Sequence, residues 1–272
     1  MSDHSAIEWT DATWNPVTGC TKVSAGCDHC YAERITERFH GRGSFATVEP
    51  HPERLDTPLR WRRPRRVFVN SMSDLFHPDI PDSYITDVFA VMTAATRHTF
   101  QVLTKRHGRM RSLLRSGRFR LAVTGRARDA EPQRRAPVWP LGNVWLGVSA
   151  ETQRWASIRV PALLDTPAAV RFVSCEPLLG PVDLFAWLPW PGDTREDPGG
   201  RGPHLDWVIA GGESGPRHRP VDSTWVRALR DQCAAADVPF HFKQWGGRTA
   251  KEGGRVLDGR TWDNYPPAGS AA

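Results

Sequence analysis

Along this chain, short apolar runs rich in Val, Ile, Leu, Phe and Trp end again and again in abruptly polar residues. Val67-Phe68-Val69 gives way to Asn70-Ser71-Met72-Ser73-Asp74, and Phe100-Gln101-Val102-Leu103 to Thr104-Lys105-Arg106. Val144-Trp145-Leu146-Gly147-Val148 is followed by Ser149-Ala150-Glu151, and Val170-Arg171-Phe172-Val173 by Ser174-Cys175-Glu176. Trp207-Val208-Ile209-Ala210 leads to Gly211-Gly212-Glu213-Ser214, and Phe240-His241-Phe242 to Lys243-Gln244-Trp245. Each run predicts a strand. Residues 7–19, rich in Trp and Thr, add a first strand and bring the number to seven.

Helical spacing fills several of the gaps. It predicts helices over 82–97 (Ile85, Val88, Phe89, Met92), 152–164 (Trp155, Ile158, Leu163, Leu164) and 222–236 (Trp225, Val226, Leu229, Cys233). Strands alternating with helices imply a parallel sheet, and seven of them suit one α/β domain over residues 1–250, a parallel (β/α) barrel or partial TIM barrel. Ligands in such folds sit at the carboxyl ends of the strands. Lys105, Glu151, Glu176, Glu213 and Lys243 are therefore expected at the mouth. The two lysines stand out in a chain whose other cations are almost all arginine.

Three segments break the pattern. Residues 125–142, with Arg126, Arg128, Arg134 and Arg135 among prolines, and residues 187–205, rich in Pro, Gly and Trp, read as long surface loops and candidate lids. The tail over 251–272 is Gly-rich, with Trp262 and Tyr265 expected to pack back on the barrel. Before the second strand, Arg60-Trp61-Arg62-Arg63-Pro64-Arg65-Arg66 surrounds a Trp with arginines; it reads as a phosphate grip with a stacking ring, or as a solvated face.

Composition narrows the class. The net charge is +6 and the pI near 9.4. A polyanionic partner such as nucleic acid would fit, though 32 of the 36 basic residues are Arg, which a GC-rich genome would also produce. The opening residues carry Asp3, Glu8 and Asp11 and no apolar core stretch, so no signal peptide is read, and no apolar run has the length of a membrane span. A cytoplasmic location is expected.

The chemistry concentrates in Gly19-Cys20-Thr21-Lys22-Val23-Ser24-Ala25-Gly26-Cys27-Asp28-His29-Cys30-Tyr31, a C-x6-C-x2-C loop ahead of a helix predicted from Asp28 to about His40. Three thiolates so close can hold one metal centre and leave it a ligand short. A structural zinc site wants a fourth protein ligand, whereas an iron–sulfur cluster on three thiolates keeps one iron open. Cys175 and Cys233 stand apart and read as small buried residues.

The Trp-Asn-Pro-Val-Thr-Gly-Cys20 opening with Cys27-Asp28-His29-Cys30-Tyr31-Ala32, the Asn70–Phe76 segment, Leu103-Thr104-Lys105-Arg106, Ser174-Cys175-Glu176-Pro177-Leu178 and Gly211-Gly212-Glu213-Ser214-Gly215 together resemble the phage Gp37/Gp68-like family. That family, a domain of unknown function, is similar to radical S-adenosylmethionine enzymes. The resemblance covers about residues 5–248. It implies a [4Fe–4S] cluster on Cys20, Cys27 and Cys30, bound S-adenosylmethionine, and an external one-electron reductant of flavodoxin or ferredoxin type. The expected outcome is a 5′-deoxyadenosyl radical that takes hydrogen from a substrate.

Two features depart from that superfamily. The first gap is six residues where three is usual, and His29 holds the aromatic position with Tyr31 just after. The usual Gly-Gly-Glu follows the second strand, but here it follows a late one, so its methionine-binding role passes by position to Ser71, Ser73 and Asp74. Tyr31, Glu151 and Glu213 are further candidates for cofactor contact, and Lys105, Glu176 and Lys243 for catalysis. Basic charge and Trp-rich loops make a nucleobase in nucleic acid or a nucleotide the expected substrate. The competing reading is a non-enzymatic, zinc-stabilised nucleic-acid-binding protein with His29 or His40 as fourth ligand.

Overall fold

The computed structural model describes residues 5–133, 135–189, 203–249 and 251–267. Seven strands form one sheet: β1 (Ala12–Trp14), β2 (Arg66–Val69), β3 (Thr99–Thr104), β4 (Val144–Ser149), β5 (Val170–Cys175), β6 (Trp207–Ala210) and β7 (Phe240–Phe242). Their spatial order is their chain order, and every neighbouring pair is parallel. A sheet that steps one way around curls, and this one makes a half-barrel.

The helices are α1 (Tyr31–His40), α2 (Asp82–Ala94), α3 (His107–Arg115), α4 (Gly117–Ala130), α5 (Gln153–Leu164) and α6 (Ser223–Ala235). One face of each strand packs beneath them. Val67, Val102, Leu146, Val148, Val173 and Val208 join Ile85, Phe89, Val160 and Leu229 in the main core. The other face closes on itself as a second, aromatic cluster of Trp9, Phe68, Trp145, Phe172 and Trp207. Phe172 lies so close over Gly147 that a β-carbon there would meet its ring at 2.4 Å. This plug fills the half-barrel beneath the carboxyl ends. Both strand faces are buried, as a parallel sheet requires.

The open edge of β7 is taken by the tail. The Phe242 amide donates to the Trp262 carbonyl (2.9 Å) and that of Asn264 to Phe240 (3.3 Å), while the Tyr265 hydroxyl reaches the Glu8 carbonyl (3.1 Å). Trp262 packs against the main core and Tyr265 against the aromatic cluster.

Other expectations need correction. The first strand is only three residues long; Val17–Thr18 leaves it to pair antiparallel with Glu49–Pro50. Residues 125–142 are not one loop. Helix α4 runs through Ala130, so Arg126 and Arg128 lie on it, and Phe119, Val123 and Ala127 bury its inner face. The stretch between α4 and β4 is pinned to the flank, with Trp139 stacked on Phe89 and Leu141 in the core, which makes it no lid. Arg134 lies outside the described residues, as do 190–202 of the second proposed lid; its ends meet through a Leu205 amide to Trp187 carbonyl bond of 2.9 Å.

The arginine run also changes meaning. Trp61 is buried in the main core, edge-on to His98, and offers no ring to a base. Arg60 pairs with Asp56 and Arg66 with Asp11. Because Arg66 opens β2, the run sits at the amino end of the barrel, away from the mouth.

Candidate active site

A cleft of about 490 Å³ opens at the carboxyl ends of the strands, within the usual size for a small-molecule or cofactor site. Trp9, Phe68 and Leu103, from the aromatic plug and its edge, contribute its floor, and Cys20, Cys27 and Cys30 all line it. The cleft also gathers Tyr31, Ser71, Ser73, Asp74, Lys105, Glu176, Glu213 and Lys243. Of the candidate residues Glu151 and His40 stay outside the lining.

The cysteine loop is held from several strand ends at once. Gly19 starts it at φ 84°, where any β-carbon would meet the Thr47 carbonyl oxygen at 1.9 Å. After β3, the Arg106 guanidinium donates to Cys20 Sγ (3.4 Å), to the Thr21 carbonyl (3.0 Å) and to Asp74 (3.3 Å). After β4, Glu151 Oε1 accepts from the Gly26 amide (3.4 Å). After β6, Glu213 accepts from His29 Nδ1 (2.9 Å), and Arg219 ties Glu213 to the Ala25 carbonyl (2.8 Å). After β2, the Ser71 carbonyl accepts from the Tyr31 hydroxyl (2.6 Å).

Glu151 is fully buried, as is its partner Arg159 (2.9 Å). Burial alone would push the Glu151 carboxyl up, but hydrogen bonding and the Arg159 charge outweigh it and hold it below its ordinary value. Glu213 shows the same contest: against burial, hydrogen bonds from Arg219 and His29 bring it down to about 2. Asp74 is taken up by Thr104 Oγ1 (2.7 Å), the Lys105 amide (3.0 Å) and Arg106. Ser71 Oγ donates to Asn15 (3.2 Å) and Ser73 Oγ to the Val17 carbonyl (2.8 Å).

Two of the cations at the mouth are the lysines that the sequence singles out. Lys243 pairs with Glu176. Lys105 Nζ reaches only the Ser149 hydroxyl at 3.4 Å, with no carboxylate in ion-pair range among the described residues.

The thiols differ in setting. Burial pushes Cys20 up to about 11, helped by Asp74 and opposed by Arg106. Burial also raises Cys30, against the amides of Glu33 and Ala32 in the first turn of α1. Cys175 and Cys233 are buried in the main core, as the sequence led us to expect. No three His, Cys, Asp or Glu side chains among the described residues converge closely enough for a single metal ion. His40 lies in the last turn of α1, about 15 Å of helix from Cys30, while His29 meets Glu213 through Nδ1 and keeps Nε2 for other partners. The donor set is three half-buried thiols around one cleft, which fits a multi-iron centre better than a single closed zinc ion.

Sequence reasoning missed Arg106, Arg159, Arg219 and Asn70. Asn70 follows β2 at φ 62°, borders the cleft, and has neither amide atom hydrogen-bonded among the described residues. Its place just after a strand end was the one available signal.

No curated protein matches the chain at a significant level. Among solved structures it is similar to a cysteine-to-serine variant of spore photoproduct lyase, at 12% identity over 83% of this chain and 60% of that one, with a TM-score of 0.42. It is also similar to spore photoproduct lyase complexed with dinucleoside spore photoproduct, at 10% identity, 82% and 60% coverage and a TM-score of 0.42. The chain thus spans about 60% of the length of these structures. The family described as "Protein of unknown function (DUF5131)" matches residues 4–266, and the chain belongs to it.

Proposed function

We propose that this protein is a radical S-adenosylmethionine enzyme in which Cys20, Cys27 and Cys30 hold a [4Fe–4S] cluster. The observation that carries the reading is the convergence of three half-buried thiols from one loop on a single cleft at the carboxyl ends of a parallel half-barrel, with no fourth cysteine lining it among the described residues. Bound there, the cluster would supply one-electron reductive cleavage of S-adenosylmethionine and, through it, hydrogen abstraction from a substrate.

The chain's own residues divide the remaining work. Arg106, Glu151 and Glu213 fix the cysteine loop, and Asp74 acts through Lys105 by holding its backbone. Ser71 and Ser73 border the cleft where the methionine end would lie, and Tyr31 joins α1 to that segment. Lys105, without a carboxylate partner among the described residues, suits an anionic group of cofactor or substrate. Lys243 and Glu176, from the ends of β7 and β5, form an ion pair at the mouth. The aromatic plug keeps water from the floor. A nucleobase in nucleic acid or a nucleotide is the proposed substrate, and a flavodoxin- or ferredoxin-type protein the proposed electron donor.

The test is iron and sulfide content with EPR after anaerobic reconstitution, with and without S-adenosylmethionine. About four irons per chain are expected, with a reduced-cluster signal altered by S-adenosylmethionine and lost in Cys27→Ala. Stoichiometric zinc without sulfide would sink the proposal.

A further inference from the structure

Helix α1 carries two neighbouring stripes that the fold leaves uncovered. Tyr31, Ile35 and Phe39 are exposed at four-residue spacing, Phe39 by 73%. Beside them on the helix stand the exposed Arg34 and Arg38, and the exposed Arg42 follows just past the helix end, after Gly41. The stripes begin at the cleft, which Tyr31, Arg34 and Ile35 line, and Phe39 lies about 12 Å further along the helix.

The local carboxylates are turned elsewhere. Glu33 pairs with Lys22 (3.4 Å), and Glu37 accepts from the Gly43 amide (2.7 Å) beyond the helix end. No carboxylate among the described residues pairs with Arg34, Arg38 or Arg42. A row of unneutralised guanidinium groups next to exposed rings, with Arg38 already 5.9 Å from the Phe39 ring centre, is the combination that binds single strands: cations for phosphates, aromatic faces for bases.

We propose that this face of α1 is a tracking surface for single-stranded nucleic acid, leading the strand into the cleft. The inference rests on the reading of the cleft as a site for a nucleobase, and extends it to a polynucleotide in place of a free nucleotide. Size favours a strand over a protein. A face about 15 Å long on a ten-residue helix cannot supply the roughly 800 Å² per partner of a stable protein interface, yet it accommodates a few nucleotides.

The experiment is a fluorescence-anisotropy titration of a short fluorescein-labelled single-stranded oligodeoxynucleotide with the full-length protein over a salt series. Arg38→Gln and Arg42→Gln are each expected to reduce the slope of log K against log salt by about 0.7, and their combination by about twice that. Phe39→Ala should weaken binding roughly tenfold with the slope unchanged, and Phe39→Trp should restore it. Arg62→Gln with Arg63→Gln, at the amino end of the barrel, should leave affinity intact. Unchanged affinity and slope in Arg38→Gln/Arg42→Gln would overturn the proposal and leave the face to an acidic protein partner. An equal loss from the Arg62 and Arg63 changes would overturn it as well, since it would reduce binding to net charge. Binding is read on cluster-free protein, so a failure of the cluster chemistry and a failure of the tracking surface are separate results.

Discussion

Glu151→Gln separates a held cysteine loop from a merely exposed one. Glu151 and Arg159 have no solvent exposure and meet at 2.9 Å, with Arg159 also donating to the Ser149 carbonyl (2.8 Å) and lying 4.1 Å over the Trp155 ring. The glutamine keeps the shape but leaves a guanidinium buried without its counter-charge. Breaking a buried pair this way costs about 3–5 kcal/mol, a large part of the 5–15 kcal/mol that typically holds a domain. For a chain of this length that is a fall in melting temperature on the order of 10 °C. Replacing both partners with apolar residues of similar volume, Glu151→Leu/Arg159→Met, should recover much of it, because the desolvation of both charges disappears. The pair also predicts a pH dependence. A carboxyl held below its unfolded value contributes stability that is present above the unfolded pKa and lost as pH falls through the folded one, so the wild type should lose this contribution below about pH 4.5 and Glu151→Gln should not. Thermal and urea unfolding across that range are the assays. A loss under about 1 kcal/mol in Glu151→Gln would refute the reasoning, since the pair would then be reaching water.

His241 is fully buried among Trp207 and Tyr265, and burial pushes it down to about 4, with Asp263 opposing and Arg255 adding to the shift. The unfolded chain then takes up the proton first, so stability should fall by about 3 kcal/mol as pH drops from 6.5 to 4; His241→Phe should remove that slope in acid unfolding curves. Gly147→Ala forces a β-carbon into the Phe172 ring and is expected to cost about 1–3 kcal/mol in urea unfolding, with Phe172→Leu in the same chain relieving it. Glu213→Gln gives up the charged partner of Arg219 and His29, so the cysteine loop should open more often, read as faster alkylation of Cys27 by iodoacetamide in the metal-free protein. An unchanged rate there would mean that the loop is held by its other tethers alone.

The strands were legible because a parallel sheet buried on both faces needs unbroken apolar runs, and because each run ends where polar side chains must face the cleft. The same logic brought Lys105, Glu176 and Lys243 to one place from far apart in the chain. Helix α4 was not legible: arginines on its outer face and the nearby prolines masked the four-residue spacing of Phe119, Val123 and Ala127. Trp61 misled for the converse reason, since a Trp flanked by arginines looks exposed while its ring is in the core. Arg159 could not have been found at all. Arginine is nearly always exposed, and an Arg eight residues after a Glu does not by itself signal a buried pair.

The tethers of the cysteine loop carry a consequence for assembly. Cys20 is reached from the end of β3, Gly26 from β4, His29 from β6 and Tyr31 from β2, so the cysteine loop acquires all these tethers only once the six strands β1 to β6 have curled together. A short peptide carrying C-x6-C-x2-C would be free to wrap a single zinc ion, drawing in His29 as the fourth ligand. In the folded chain Glu213 fixes the His29 ring through Nδ1 and Arg106 holds Cys20, and among the described residues no three ligand side chains converge on one ion. The described part of the folded chain therefore does not offer the closed four-ligand site open to the peptide.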